Sequence, residues 1–225
     1  MNVIVAIATC ERPFNYAVRT ISSASMEDPH GWQSAIARIA FVDGPSASYL
    51  SGASIEAMDF VTHDGARLGA YGNILRCLQR SHELCETADV LLLEDDMVFA
   101  PQWLTSLEAL VERHIRPYKP NFALSGYVPY SLKPMFERVP CGWYTTPFYA
   151  SCCLWFSNTI LDECIEFLDK GGHKPMDLTL ADYFKLQDVS LFGTTRSVAD
   201  HIGEHSTLGC LGLRKAVDFG TIQVP

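Results

Sequence analysis

Apolar runs and helix-period segments alternate through the first half of the chain, which is the rhythm of strand-helix-strand units and a largely parallel sheet. Val3 to Ala8 is a continuous apolar run of strand length, and a helix is expected from near Pro13, a residue suited to a first helical turn, to about Met26. Ile36 to Val42 reads as a second strand ending at Asp43-Gly44, and Met58 to Thr62 as a short third. From Tyr71 the apolar residues Tyr71, Ile74, Leu75, Leu78 and Cys85 recur with helical period and put Asn73, Arg76, Arg80 and Glu83 on the opposite face. Ala88 to Leu93, apolar apart from Asp89, reads as a strand that stops at Glu94-Asp95-Asp96, followed by a helix from Pro101 to about Ile115 and a strand from Phe122 to Ser125. The second half changes character. Cys141 to Phe156, rich in aromatic and small residues, suggests antiparallel strands, and helices are expected at about Thr159–Leu168 and Leu178–Leu186. No linker or repeat separates the halves, so the pattern predicts one α/β domain over residues 1–225, with a nucleotide-binding style of first half (about 1–126) and a mixed second half (about 127–225).

Composition narrows this picture. A chain of 225 residues, 48% hydrophobic and 19% charged, has a large core available without disulfide or metal staples, because folding hides roughly 70–75% of the surface at this size. Disorder, collagen and solenoid readings fall away. The formal net charge of −9, from 17 Lys and Arg against 26 Asp and Glu, argues against gripping a phosphodiester backbone, which needs a dense basic face. Met1 to Thr9 has no basic leader and reads as a strand, no window approaches the roughly 20 apolar residues of a membrane span, and neither end carries a lipidation pattern. A soluble, cytoplasmic protein is expected. The eight cysteines are scattered without Cys-x-x-Cys pairs, so reduced thiols are expected and zinc-ribbon or thioredoxin-like sites are not.

Glu94-Asp95-Asp96 carries the strongest chemical signal. It stands at the carboxyl end of an apolar strand, where open α/β sheets bind ligands, and hard carboxylate oxygens suit Mg²⁺ or Mn²⁺. In extended backbone Glu94 and Asp96 project to one side and Asp95 to the other. A solvated acidic turn has the same letters. Other strand ends add polar groups that a parallel sheet would bring to one edge: Thr9, Glu11 and Arg12 after the first strand and Asp43 after the second. Arg67 to Arg76 places two glycines and two arginines at a helix start, whose free N–H groups favour an anion; taken singly, these are an ordinary turn and a surface salt bridge. Late in the chain, Asp200-His201-Ile202-Gly203-Glu204-His205 offers an imidazole that can complete a carboxylate site, more naturally for Mn²⁺ than for Mg²⁺. The interruption by Gly203 weakens a helical zinc pair of His201 and His205, and His201 as a hydrogen-bonded structural residue is the alternative.

These segments together resemble the nucleotide-sugar glycosyltransferases of the GT-A fold. The resemblance rests on Ala6 to Pro13, the acidic motif Glu94-Asp95-Asp96, the aromatic-rich Phe148 to Phe156, the segment Met176 to Phe184, and the His-Ile-Gly stretch at His201. It implies that Thr9, Arg12 and Asp43 hold the nucleoside and that Arg67, Asn73 and Arg76 lie near ribose or diphosphate. Glu94 would support ribose or a metal-bound water, Asp95 would face the donor sugar, and Asp96 would be the principal metal ligand, with His201 the late one. The implied cofactor is Mn²⁺ or Mg²⁺, the donor a nucleoside-diphosphate sugar of the UDP type, and the activity that of an inverting hexosyltransferase. The catalytic base would be Asp177, at a helix start, or Asp182, five residues on.

The acceptor offers a hydroxyl and is otherwise open: a saccharide, a protein, a small molecule or a modified DNA base. Tyr127, Tyr130, Trp143, Tyr144, Tyr149 and Trp155 are abundant on the acceptor side; Trp143 and Tyr144 are the better candidates and Trp155 is expected in the core. Pro129 to Pro140, with Lys133, Met135 and Arg138, reads as a loop that a lid would use. A sugar-nucleotide nucleotidyltransferase is the alternative enzyme, disfavoured because Thr9 to Phe14 has no glycine. A non-catalytic sugar or nucleotide binding module is the other alternative.

Overall fold

The computed structural model describes residues 1–12, 14–46, 48–50, 53–63, 65–129, 142–148, 150–171, 174–203, 216 and 218–222. Pro13, most of the expected lid loop with Lys133, Met135 and Arg138, Tyr130, Tyr149, Cys141, Cys210, Glu204 and His205 lie outside them. In chain order the elements are β1 (Val3–Cys10), α1 (Tyr16–Glu27), α2 (Pro29–Ser34), β2 (Ala37–Asp43), α3 (Ala53–Glu56), β3 (Phe60–His63), α4 (Gly69–Leu84), β4 (Asp89–Glu94), β5 (Met97–Phe99) and α5 (Trp103–Leu110). A wider π turn over Val111–Ile115 prolongs α5. There follow β6 (Phe122–Ser125), β7 (Trp143–Thr145), β8 (Cys153–Phe156), a 3₁₀ turn (Asn158–Ile160), α6 (Leu161–Lys170), α7 (Met176–Leu186), β9 (Ser190–Thr194) and β10 (Ala199–His201).

An eight-stranded sheet in the order β3-β2-β1-β4-β8-β6-β9-β7 runs through both halves of the chain, and β10 with β5 makes a separate two-stranded ladder. β1 pairs in parallel with β2 and β4, β2 with β3, and β6 with β9. β8 is antiparallel to both β4 and β6, and β7 to β9, as the aromatic-rich stretch predicts. This is the expected α/β class, a mixed and mostly parallel sheet with a smaller second one.

The continuous apolar composition of β1 and β4 follows from burial on both faces. Val3, Val5, Ile7, Leu91 and Leu93 face one core with α1, α2 and α5, built around Trp103 and Trp155. Ile4, Ala6, Val90 and Leu92 face the other, with α4, α6 and α7. The period of two along each strand therefore divides the helices into two layers. Asn15 caps α1, its side chain accepting from the Val18 N–H at 3.3 Å. Asp28 caps α2 through the Gly31 N–H at 2.9 Å and also accepts from the Thr105 N–H at 2.7 Å, so one buried carboxylate joins two helices. Six cysteines, Cys10, Cys77, Cys85, Cys152, Cys153 and Cys164, are free thiols. Among the described residues no helix is long and apolar enough to cross a membrane.

Candidate active site

The chain leaves β1 for β2 and β3 on one side and returns through α4 to β4 on the other. This reversal makes the crevice between the carboxyl ends of β1 and β4 a topological switch point, the place where open α/β sheets bind ligands. Thr9 and Arg12 stand on one side of it and Glu94 to Asp96 on the other. The backbone does not stay extended after Glu94. It turns tightly at Asp95-Asp96 before β5, and Thr20 pins the turn: its hydroxyl lies 2.7 Å from the Asp95 carbonyl and 2.8 Å from the Met97 carbonyl and accepts from the Met97 N–H at 3.0 Å.

The turn sends the three carboxylates to three different partners. Asp95, 2% exposed, points back to β1 rather than opening toward a donor sugar: one oxygen accepts from the Thr9 hydroxyl at 2.7 Å and the other is paired with Arg12. Arg12 stacks over Tyr16 at 5.4 Å and reaches Asp96 at 3.6 Å, so it is committed to protein acids as well as exposed to the crevice. Tyr49, which no sequence signal marked, shares a 2.7 Å hydrogen bond with the Thr9 hydroxyl, and burial, partly offset by that bond, raises its phenol to about 12.

Asp96 meets His201, whose Nε2 lies 3.2 Å from Asp96 Oδ2. The ladder makes this contact: β10 pairs antiparallel with β5, setting His201 opposite Met97, and the Ile202 N–H donates to the Asp96 carbonyl at 2.8 Å. Burial alone would lower His201 and raise Asp96; the hydrogen bond and charge of each partner outweigh it, so His201 is raised above 6.5 and Asp96 held below 3.8. Asp96 Oδ1 and His201 Nδ1 are buried with no hydrogen-bond partner among the described residues. A Cβ at Gly203 would come within 2.3 Å of Asp96 Oδ2, so only glycine leaves this carboxylate its place. An orphaned carboxylate oxygen, an imidazole and a side-chain-free wall fit a divalent cation of the Mn²⁺ kind. No group of three or more His, Cys, Asp or Glu gathers for a metal among the described residues, so Asp96 and His201 are the pair on offer.

Glu94 takes the third direction. Its carboxyl lies 2.7 Å from the Ser151 hydroxyl, which lies 2.9 Å from Asp177 Oδ1, so the two carboxyls share the one hydroxyl proton. Burial and then the nearby Asp96 charge raise Glu94 to about 7, against the lowering by Ser151. Of the two expected bases, Asp177 is thus brought to the cluster, exposed in the first turn of α7. Asp182 is not: it is in a 2.7 Å ion pair with Lys174, because five residues at about 100° each leave it about 140° round the helix from Asp177.

The remaining expected residues occupy the β1 and β2 ends. Asp43 accepts from the Leu68 N–H and from the Gly69 N–H at 3.0 Å, so a protein carboxylate takes the start of α4 that was expected to favour an anion. Gly69 has φ +74°, a conformation that favours glycine at that start. Asn73 and Arg76 are buried, not on a polar outer face. Asn73 donates to the Thr9 and Phe41 carbonyls at 3.2 and 3.0 Å, and Arg76 to the Val42 carbonyl at 2.9 Å and to Asn73 Oδ1 at 2.8 Å. They satisfy the carbonyls where β1 and β2 end. Arg67 is exposed at the lip of this edge. Of the aromatic candidates, Tyr127 and Tyr144 are buried in the core rather than displayed, Trp155 is buried as expected with its indole donating to Asp89 at 2.7 Å, and Trp143 is half-buried edge-on to Phe192 at 5.3 Å.

No family model and no curated protein matches the sequence. The solved structures do, with 306 matching chains. One is the crystal structure of GalNAc-T7 with UDP, GalNAc and Mn²⁺, which superposes with a TM-score of 0.64 at 11% identity over 97% of this chain and 45% of that one. The chain therefore spans less than half the length of that protein. What the superposition establishes is architecture: this chain shares the fold of a GT-A glycosyltransferase.

Proposed function

We propose that the chain is a metal-dependent glycosyltransferase that moves a sugar from a UDP-sugar to an acceptor hydroxyl with inversion. One observation carries this reading: Asp96 and His201 meet at the switch point while Ser151 links Asp177 to Glu94 of the same acidic turn. The contrary fact is the occupied start of α4, which leaves diphosphate binding to the crevice side of Arg12 and to Arg67. Asp96 and His201 would hold Mn²⁺ or Mg²⁺, which supplies the positive charge that a departing diphosphate needs. Thr9 and Asp43 line the nucleoside side, and Glu94 the ribose side. Asp177 accepts the acceptor hydroxyl proton as that oxygen bonds the anomeric carbon and the bond from that carbon to the diphosphate breaks. The acceptor class is any of the hydroxyl bearers named above.

A thermal-shift screen of UDP-glucose, UDP-galactose and their N-acetylhexosamine analogues with Mn²⁺, followed by assay of UDP release and transfer, tests this. Asp96→Ala is expected to abolish release. Release that persists in chelator overturns the metal role, formation of UTP and sugar 1-phosphate from the UDP-sugar when pyrophosphate is added identifies nucleotidyl transfer, and binding without turnover over a broad acceptor panel identifies a binding module.

A further inference from the structure

Ser151 was marked by no motif of its own, yet it is 2% exposed and its hydroxyl stands between two carboxylates from opposite halves of the chain, 2.7 Å from Glu94 and 2.9 Å from Asp177. Its place is rigid. It precedes β8, and the Cys152 carbonyl next to it accepts from the Glu94 N–H at 3.0 Å, so the end of β4 and the approach to β8 move as one piece. Asp177 is the opposite case. It sits in the exposed first turn of α7, behind an N-terminal Pro175 that offers no side-chain cap, and Ser151 is its one hydrogen-bond partner among the described residues. A carboxylate so placed samples several rotamers unless something fixes it.

We infer that Ser151 is a positioning residue: by engaging Asp177 Oδ1 it holds Oδ2 toward the acceptor and ties the base to the donor-side strand end. This rests on the transferase reading given above. The effect is geometric. A base misplaced by about 1 Å costs on the order of 100-fold in rate while leaving donor binding intact. A residue that merely supports the fold would instead lower stability or weaken donor binding as well.

The test compares wild type, Ser151→Ala, Ser151→Thr and the double variant Ser151→Ala/Asp177→Asn, using whichever UDP-sugar gives the largest thermal shift with Mn²⁺. Ser151→Ala is expected to lower kcat for transfer by roughly 10- to 100-fold with donor KM unchanged. Ser151→Thr, which keeps the hydroxyl, should recover most of it, and Ser151→Ala should cost nothing further once Asp177 is Asn. A rise in donor KM at constant kcat, or a full additional loss in the double variant, overturns the inference. A crystal structure of Ser151→Ala supplies the arm that needs no turnover: Asp177 is expected to leave its present rotamer, and an unmoved Asp177 overturns the inference. A wild-type chain that neither binds nor turns over UDP-sugars overturns the transferase reading, and the crystallographic arm then still decides whether Ser151 holds Asp177.

Discussion

Replacing Glu94 with glutamine removes one ionisable carboxyl while keeping its shape, so the variant permanently carries the neutral form that burial and the Asp96 charge favour in the native protein. Those two causes raise Glu94 from 4.5 to about 7. Between these values the native state holds a proton that the unfolded state has released, and stability must fall as pH rises. The contribution is fully present below pH 4.5 and lost by about pH 7; at ~1.4 kcal/mol for each pH unit between the two it comes to about 3 kcal/mol. Asp96 and His201 titrate in both proteins, so the difference between wild type and Glu94→Gln reports Glu94 and its couplings. Urea unfolding of both in chelator, from acid to alkaline pH, is the assay. Wild type should lose about 3 kcal/mol relative to Glu94→Gln between pH 4.5 and pH 8, and a difference constant to within about 0.5 kcal/mol would refute the reasoning.

Asp95→Asn leaves Arg12 facing a neutral amide in a half-buried setting; a loss of about 3 kcal/mol in urea unfolding is expected, and an unchanged midpoint would remove the Arg12 pair from the account of stability. Gly203→Ala drives a methyl against Asp96 Oδ2, so under the transferase reading calorimetry should show Mn²⁺-dependent UDP binding weakened by ~10-fold or more. Asp182→Asn breaks only a surface ion pair and should change stability by less than about 1 kcal/mol. Under the transferase reading it also leaves UDP release intact, whereas Asp177→Asn lowers it by ~100-fold or more.

Elements buried on both faces were legible because apolar runs dominate them: β1 and β4 fall within a residue or two of the expected runs, and β6 matches its run. Short elements held by distant partners were not. α2 is six residues long and depends on Asp28, whose second bond reaches Thr105; β10 reads Ala-Asp-His and is a strand because β5 offers it a ladder. The same distinction runs through the site. Three consecutive acids after an apolar strand announce themselves, but where each points is set by Thr20, Arg12, His201 and Ser151, which lie at separations no local pattern records. Asn73 and Arg76 fit the polar side of a helical wheel, and the wheel cannot show that strand-end carbonyls wait beneath it. Gly203 carried no signal beyond breaking a histidine pair, because a glycine's reason is the atom it leaves room for.

The ladder between β5 and β10 has a kinetic consequence. It joins only three residue pairs, lies apart from the eight-stranded sheet, and brings His201 to Asp96 across more than a hundred residues of chain. Yet Met97, Phe99 and Ala199 of the ladder are buried in the same core as Trp103, so its partners cannot separate without opening that core, and His201 is protected to the same degree. The two halves of the proposed ligand pair therefore come apart together, and slow hydrogen exchange in the ladder reports an intact site.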